Sequence, residues 1–516
     1  MSKDIEISGY LIPAADWSST PASVKALVEH QAAKISELEA QFEQLSEQLR
    51  PLAERISELE EHRSKNSQNS LKPPSSEGFG KSVRPKQKKK GRGRGGQPGH
   101  PGHGRDLYSI ERVDQVIEHY PHQCKGCGER LSGADSSPYR HQIVELPPIV
   151  PVVREHRLHQ LSCEHCGSVT RAQLPKAIAS GYGPRLSGVI GLLSSHYRLS
   201  HQRVVCLVNE LFDIRLSASS INRLRRELNT ALALPVGAAH GYVQAATVKH
   251  SDETGFEQGN SDGHNPTNKK GWLWVIVTPL VSYFEVFLSR SQASAEALLG
   301  QAPTGVIVSD RCGSYSWIPL EQRQVCWAHL KRDFTAMAER SGASGEIGTA
   351  LLRRERRLFR LWHKVRDGTL TRAKFSQAIV LLRRGLKREL VVAAGLVDPK
   401  GKKSPLAKTV RTCQKLLQVE KALWTFVDVP GVEPTNNAAE RALRPAVIWR
   451  RTSFGSQSLA GSQFVARMMT VITSLKAQQR PILPFLTQTF QAARLGQSAP
   501  SLLPKHDNEV LLPILS

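Results

Sequence analysis

Two Cys-x-x-Cys pairs constrain the local fold of this chain more tightly than any other feature of its sequence. A glycine follows each pair, and the two motifs are Cys124-Lys-Gly-Cys127-Gly128 and Cys163-Glu-His-Cys166-Gly167. Four thiolates at this spacing are typical of a tetrahedral structural zinc site. A glycine at the end of each motif lets the chain wrap so that backbone amides face the sulfur atoms. The spacing therefore predicts one structural Zn²⁺ held by Cys124, Cys127, Cys163 and Cys166.

The segment around these pairs forms a predicted zinc-binding module over residues 106–178. His122 and His165 are substitute ligands if one of the cysteines does not bind the metal. The stretch HQIVELPPIVPVVREHRLHQLSC between the pairs is rich in β-branched residues, which favours strands that link the two knuckles. Only eight cysteines occur in 516 residues, which indicates a reducing compartment rather than a disulfide framework.

Upstream of this module, apolar residues alternate at steps of three and four over four heptads. These residues are Ile35, Leu38, Phe42, Leu45, Leu49, Leu52, Ile56 and Leu59. This spacing predicts a coiled-coil helix over residues 22–63. Pro51 lies inside the pattern and is expected to kink or interrupt the helix, because proline removes a helical hydrogen bond. Two interpretations stay open, self-association through the apolar seam and docking of the helix on its own domain.

Residues 64–105 are polar at first and then strongly basic, ending in KSVRPKQKKKGRGRGGQPGHPGHGR without an acid. Such a segment cannot bury apolar surface and is expected to be disordered in isolation. The whole chain carries 70 Lys and Arg against 46 Asp and Glu, a net charge of +24, which favours a nucleic-acid partner. We expect this linker to contact DNA phosphates, although a linker that touches nothing is the alternative. The candidate contacts are Lys88, Lys89, Lys90, Arg92 and Arg94.

Residues 182–235 have a helical period and include two short helices, each preceded by a capping serine (Ser200, Ser217). The second helix carries Arg223, Arg225 and Arg226. This arrangement resembles a helix-turn-helix whose basic second helix contacts DNA. Simple helical packing with a charged outer face is an equally good interpretation.

After residue 240 the pattern changes to strands. Three predicted strands, a short helix, a fourth strand and a further short strand follow one another, the order of a ribonuclease H-like fold. Asp252 lies in the first strand and Asp310 at the C-terminal tip of the fourth. Because those two strands are neighbours in that fold, we expect the two carboxylates to meet. The predicted catalytic domain spans residues 240–490, with an all-helical basic insertion at about 335–425 and a tail at 491–516.

Two carboxylates on adjacent strands suit the binding of Mg²⁺ or Mn²⁺, since hard cations prefer oxygen ligands. Cleavage of a phosphodiester needs an activated attacking oxygen and a stabilised leaving oxygen, which two such ions provide. Glu440 is a candidate third acid, on one helical face with Arg441 and Arg444 and with Asn436 or Thr435 as the N-cap. Glu433 and Asp428 compete with it. The pattern alone leaves the third acid open.

Several motifs together resemble the transposases of the insertion sequence 66 family. They are NSQNSLKPPSSE, GGQPGHPGH, the two Cys-x-x-Cys pairs, DET at 252–254, SDRCGSY at 309–315, CWAHLKRDF at 326–334 and TNNAAERALRPAVIWRRTSFGS at 435–456. The resemblance covers residues 30 to 490 and implies an Asp-Asp-Glu transposase with Asp252, Asp310 and Glu440 as the matched acids. It also implies a zinc-binding module ahead of the catalytic domain. The family's Arg-Lys after the third acid is Arg450-Arg451 here, and its Asp-Gly-Tyr after the second acid is Asp310-Arg311-Cys312.

The expected protein is thus a multidomain α+β transposase that binds the ends of an insertion element. Metal-dependent strand cleavage and strand transfer would use two Mg²⁺ or Mn²⁺ ions per active site. Expected partners are double-stranded DNA (element ends and target), a second copy through the coiled coil, and accessory proteins of the same element. The N-terminus shows no secretory signal and no run approaches the roughly 18 apolar residues of a membrane span, so we expect a cytoplasmic, nucleoid-associated protein.

The sequence also fits two other functions. One is a non-catalytic DNA-binding regulator with a decayed nuclease core, and the other is a junction-resolving nuclease on the same fold. The intact set of three acids argues against the first, and the DNA-binding modules that precede the core argue against the second.

Overall fold

The computed structural model describes residues 5–7, 10–64, 69, 105–397 and 404–504. The chain forms two compact units, one from residues 1–81 and 328–418 and the other from residues 82–327 and 419–516. Helices and sheets occur together in it, as the sequence predicts for a mixed fold. In the described part of the chain, every helix is too short or too polar to cross a membrane.

The first unit begins with a short antiparallel hairpin and a long helix. Its elements are β1 (Ile5–Ile7), β2 (Tyr10–Ile12), α1 (Ala14–Ser19) and α2 (Ala22–Ser64). The predicted coiled-coil segment coincides with α2. The helix is continuous through Pro51, so the interruption expected there does not occur. The apolar seam faces solvent, with Ile35 46% exposed and Phe42 73% exposed.

The rest of the first unit is the helical insertion. Its helices are α8 (Trp327–Ala338), which starts at the unit boundary, α9 (Ala343–Arg366), α10 (Arg372–Ala394) and α11 (Pro405–Gln418). Leu351, Leu358 and Trp362 of α9 and Phe375 and Leu382 of α10 are buried, while the many arginines between them cover the polar faces. The all-helical character predicted for this insertion is what the structure shows.

The second unit starts with the cysteine-containing segment, in which the strands are very short. They are β3 (Gln160–Ser162) and β4 (Val169–Arg171), an antiparallel pair. The prediction that strands fill the segment between the cysteine pairs is wrong for residues 141–159, which form no strand. Three prolines, Pro147, Pro148 and Pro151, lack the N–H that a ladder needs, so β-branched composition alone does not produce strands here.

Four helices follow, α3 (Pro184–Ser195), α4 (His201–Phe212), α5 (Ala218–Ala231) and α6 (Ala233–Ala245). The predicted caps are present, because Ser200 accepts a hydrogen bond from the Arg203 amide and Ser217 accepts one from the Ser220 amide. The two short helices of the predicted helix-turn-helix are therefore α4 and α5.

A five-stranded mixed sheet forms the centre of the second unit. Its strands are β5 (Val248–Gly255), β6 (Trp272–Val277), β7 (Ser282–Phe287), β8 (Val306–Ser309) and β9 (Arg323–Val325). The spatial order is β7-β6-β5-β8-β9, with β5, β6 and β7 antiparallel and β5, β8 and β9 parallel. Helix α7 (Gln292–Leu299) connects β7 to β8. The sequence of three strands, a helix and two further strands is the predicted one.

The C-terminal helices complete this unit. They are α12 (Thr425–Asp428), α13 (Asn437–Ser453), α14 (Leu459–Ala477) and α15 (Ile482–Leu495). Helix α14 packs on β7, and α15 packs on α3. Ile190 of α3, Trp274 of the sheet and Phe490 of α15 belong to one buried apolar core. The domain boundary expected at residues 235–240 therefore does not separate two cores.

Candidate active site

The parallel register of β5 and β8 brings the first two predicted acids together. His250 pairs with Val308, so the backbone positions of Asp252 and Asp310, each two residues further along, are neighbours just beyond the paired part of the two strands. Asp310 is 7% exposed, and its Oδ1 accepts a hydrogen bond of 2.8 Å from the Cys312 amide. A tight turn after β8 thus fixes the second carboxylate.

The third predicted acid stands in the first turn of α13, and the residue before this helix attaches it to β5. Asn436 is fully buried, and its Nδ2 donates to the Ser251 carbonyl oxygen at 2.8 Å while its Oδ1 lies 3.2 Å from His250 Nδ1. Asn436 is at the N-cap position, as predicted, but its side chain makes no capping bond. Because this side chain binds the strand beside Asp252 instead, the start of the helix that carries Glu440 is attached to the strand that carries the first acid.

The carboxylates of this site interact electrostatically. Burial raises the pKa of Asp252 well above its ordinary value, and the nearby charges of Glu253, Asp310 and Glu440 raise it further. All three predicted acids are therefore within electrostatic range of one another. The side-chain oxygens of Asp252, Asp310 and Glu440 do not, however, form one of the ligand clusters within 4.8 Å that the described residues contain. One such cluster joins Glu253, Asp310 and Cys312.

Glu253 belongs to the DET motif but was not predicted as a site residue. It is buried between two donors. Its Oε1 accepts from Arg290 Nε at 2.7 Å, and its Oε2 accepts from the Tyr315 hydroxyl at 2.6 Å. Burial raises the pKa of Glu253, and the Asp310 charge raises it too, whereas these two donors lower it. Arg290 comes from the loop after β7 and also lies 3.8 Å from Asp310 Oδ2. Tyr315 is the last residue of the SDRCGSY motif, but no local signal in the sequence pointed to Arg290, because only the sheet brings it to β5.

Cations surround the end of β5. Arg450, predicted as a DNA contact, donates from Nη1 to Thr254 Oγ1 at 2.9 Å and also to the Gly255 carbonyl oxygen. Lys270 Nζ and the Arg290 guanidinium carbon lie 4.9 and 5.0 Å from the centroid of the Trp272 ring. The acids are thus bordered by positive charge. The other predicted cations of α13 are exposed on that helix, namely Arg441, Arg444 and Arg451.

The predicted arginines of α5 differ in their environments. Arg226 is exposed, and Arg223 is exposed while its Nη2 donates to the Ser180 carbonyl oxygen at 2.7 Å. Arg225 is largely buried, with its guanidinium 4.3 Å from the Phe464 ring centroid, and burial lowers its pKa to about 10. Packing therefore accounts for Arg225. The predicted contacts Lys88, Lys89, Lys90, Arg92 and Arg94 lie outside the described residues.

The two cysteine pairs form matching knuckles. In the first, the Cys124 amide donates to the Glu129 carbonyl oxygen at 2.8 Å, and in the second the Cys163 amide donates to that of Ser168 at 2.8 Å. Gly128 and Gly167 adopt φ values of +79° and +68°, so each knuckle needs its glycine. Backbone amides that face Cys124 lower the pKa of its thiol, as a metal-binding thiolate requires.

The structure does not bring the four predicted zinc ligands together. No cluster of ligand atoms within 4.8 Å in the described part of the chain contains Cys124, Cys127, Cys163 or Cys166. The donor set itself fits zinc, since it offers four thiolates on two knuckles of the same backbone geometry. The substitutes His122 and His165 are likewise absent from such clusters among the described residues.

Comparison with known families matches three regions of the chain. Residues 181–464 match the model of the Transposase IS66 family, and residues 121–167 match the zinc-finger binding domain of transposase IS66. All four predicted zinc ligands lie inside the second match, which supports zinc as a cofactor. Residues 26–106 match a family of unknown function.

Two curated relatives come from Sinorhizobium fredii (strain NBRC 101917 / NGR234), and both are called uncharacterized proteins. One, y4qI, is 24% identical over 433 residues, which is 78% of this chain and 75% of the relative. The other, y4hP, is 24% identical over 403 residues, or 71% of this chain and 69% of the relative. Their names carry no activity, so the assignment rests on the family models. With the family model covering the helices α3 to α6, the central sheet and α13, the chain belongs to the Transposase IS66 family.

Proposed function

We propose that this transposase binds the ends of its insertion element and cuts and joins DNA strands through Asp252, Asp310 and Glu440. The observation that carries the proposal is the β5–β8 register, which sets the two aspartates side by side, together with the Asn436 bonds that attach the helix of Glu440 to the same strand. The charge of Glu440 is also near enough to raise the pKa of Asp252, which supports Glu440 as the third acid.

The order and direction of the strands support a ribonuclease H-like core. An antiparallel meander of three strands, followed by two parallel strands on the other side of the first, matches the order expected for that fold. In this arrangement the first and fourth strands lie together at the centre of the sheet. The acids therefore lie on the two strands that are held by neighbours on both sides, which keeps their backbone positions fixed.

The electrostatics fit the binding of divalent cations. Carboxylates that repel one another in a buried site, as the raised pKa of Asp252 indicates, are stabilised when a cation lies between them. Two Mg²⁺ or Mn²⁺ ions would supply activation of the attacking oxygen and neutralisation of the leaving oxygen. Because the acids of a two-metal site are shared between ions, they need not all lie in one tight cluster. Asp252 and Asp310 would hold the metals from the strands, and Glu440 would do so from α13.

Basic residues on several elements are the proposed DNA contacts. Arg441, Arg444 and Arg451 are exposed on α13, the helix that carries the third acid, while Arg223 and Arg226 are exposed on α5. The linker cations, Lys88 to Arg94, would bind phosphates without regard to base sequence. We propose one structural zinc per chain, held by the two knuckles.

Helix α2 is proposed to pair with a second copy of the chain. Its apolar seam is regular over four heptads and is exposed, as it is in a coiled-coil strand without its partner. Accessory proteins of the same element are a further proposed partner, which rests on the family alone.

The test is a cleavage and strand-transfer assay on DNA that carries the element ends, with Asp252→Asn, Asp310→Asn and Glu440→Gln. Each change removes one anionic ligand and keeps the shape, so folding and end binding should persist while cleavage is abolished. Glu433→Gln is the matched control, because Glu433 is the competing acid from the loop before α13. Full cleavage by Glu440→Gln together with an inactive Glu433→Gln would move the third role to Glu433. Cleavage by Asp252→Asn or Asp310→Asn would reject the proposed site.

A further inference from the structure

The second acid of β5, Glu253, differs from an open metal ligand because protein donors already occupy it. Its side chain is completely buried, and both of its oxygens already accept hydrogen bonds. Oε1 accepts from Arg290 Nε and lies 2.7 Å from Nη2 of the same guanidinium, and Oε2 accepts from Tyr315. Tyr315 is itself buried and lies 3.2 Å from the Ser251 hydroxyl. Glu253 is thus a fixed anchor for Arg290.

Glu253 uses only some of the hydrogen-bond donors of Arg290. Its side chain is 37% exposed although its Nε and Nη2 are turned inward to Glu253. Among the described residues, the hydrogen bonds of the guanidinium involve Nε and Nη2, so the Nη1 edge is the one turned away from the anchor. The group lies against Trp272 and within 3.8 Å of an Asp310 oxygen. Burial alone would lower the pKa of Arg290, but the charges of Glu253 and Asp310 raise it, so the group stays cationic.

The surroundings of Arg290 favour an anion at the same end of β5. Lys270 lies over the Trp272 ring as well, and Arg450 donates to Thr254 two residues after Asp252. One cation would be enough to neutralise the buried Glu253. Because the other acids of the site are proposed to be neutralised by metal, the remaining positive charge favours a polyanion that approaches from outside.

We propose that Arg290 binds a phosphate oxygen of the DNA strand at the active site, and that Glu253 is the positioning residue that aims it. This inference rests on the proposed function, because it takes Asp310 to be a metal ligand. A guanidinium presents a rigid fork of donors that matches phosphate oxygens, and it binds them by charge-assisted hydrogen bonds. An arginine clamped on one edge keeps the other edge in a fixed direction without further ordering of the side chain.

The experiment uses the full chain with Arg290→Gln, Arg290→Lys and Glu253→Gln in the cleavage assay on end-containing DNA. Arg185→Gln, an exposed arginine at the start of α3, is the control for the loss of one surface charge. Arg290→Gln should lower the cleavage rate about tenfold or more, and Arg290→Lys should lower it less, because lysine keeps the charge but loses the fork. End binding should change little, since many phosphate contacts contribute to it.

A second measurement separates phosphate binding from a merely structural role. Neutral methylphosphonates replace, one at a time, the phosphates nearest the cut, and each variant is assayed on each DNA. At one phosphate position, the neutral linkage should slow cleavage by the wild type and by Arg185→Gln much more than it slows cleavage by Arg290→Gln. The difference between the two effects should be about tenfold or more. Like Arg290→Gln, Glu253→Gln should be slowed less than the wild type by the neutral linkage at that position.

The outcomes are distinct. The inference would be overturned if, at every phosphate, the neutral linkage slowed cleavage by Arg290→Gln as much as cleavage by the wild type. Cleavage by Arg290→Gln at the wild-type rate would also overturn it. If Arg290→Gln fails to fold in a melting experiment, the same comparison with Arg290→Lys and Glu253→Gln decides. Asp252→Asn is run in parallel, because cleavage by that variant overturns the proposed function, whereas an active Arg290→Gln beside an inactive Asp252→Asn overturns only the role of Arg290.

Discussion

Replacing Asp252 by asparagine should stabilise the metal-free protein and remove most of its response to divalent metal. The structure gives the reason. Burial and three neighbouring carboxylates raise the pKa of Asp252 well above the ordinary value, so keeping this carboxyl ionised in the folded protein costs folding free energy. Asparagine has the same shape but no charge, and it removes this cost together with one metal ligand.

The size of the effect follows from linkage. Each pKa unit by which the folded protein raises this carboxyl above its unfolded value corresponds to about 1.4 kcal/mol at a pH above both values. A metal ion that binds only the folded state stabilises it by about 2.7 kcal/mol when the free metal concentration is 100 times the dissociation constant. In a unit larger than 250 residues, this metal term amounts to a rise in melting temperature of roughly 5 °C. The wild type should show this rise, and Asp252→Asn should show little of it.

The pH dependence has a definite sign. A carboxyl whose folded pKa is raised favours the folded state below its unfolded pKa, near 4, and that contribution is lost as the pH rises through the folded value. Metal-free wild type should therefore lose more stability than Asp252→Asn as the pH rises from about 4. Metal should reverse the loss more effectively at higher pH, because the ligands must be deprotonated to bind it.

The assay is thermal unfolding followed by calorimetry, with chelator, Mg²⁺ or Mn²⁺, at several pH values. Glu257→Gln is the matched control, because Glu257 is an exposed carboxylate just beyond the same strand. It should keep both the metal response and the pH profile of the wild type. An Asp252→Asn protein that is less stable than the wild type in chelator, or that is stabilised equally by metal, would refute the reasoning.

Four further predictions concern other residues of the chain. Elemental analysis of natively purified protein should find about one zinc per chain. Cys163→Ser should lose this zinc and unfold the knuckle locally. A native protein without zinc would reject the site. Deletion of residues 81–105 should weaken binding to end and random DNA by similar factors and flatten the salt dependence, by roughly 0.9 in slope per lost phosphate contact. Replacing Arg223 and Arg226 should instead reduce discrimination between end and scrambled DNA, and the reverse pattern in titrations would exchange the two roles. Asn436→Ala should lower the free energy of unfolding by about 1–3 kcal/mol, because it leaves the Ser251 carbonyl without its buried donor. The same change should slow cleavage without weakening end binding. Unchanged cleavage would contradict the role of Asn436 in placing Glu440.

The local pattern of the sequence was sufficient for much of this protein. Helical and strand periods are written in consecutive residues, so α2, the capped helices α4 and α5, and the succession of β5 to β9 were predictable from them. The family resemblance rests on local motifs in the same way. Local pattern failed where the outcome depends on a partner strand, as in residues 141–159, whose β-branched composition had no ladder to join.

Only the tertiary structure decides which side chains meet in the candidate site. The register of two parallel strands places Asp310 beside Asp252, and the sheet brings Arg290 and Tyr315 to Glu253 from distant parts of the chain. The neighbouring acids of β5 also have different surroundings, because two donors hold Glu253 whereas the charges of other carboxylates act on Asp252. Sequence spacing fixes which side chains a strand or helix carries, but the pairing of elements decides which of them meet, because those contacts join residues far apart along the chain.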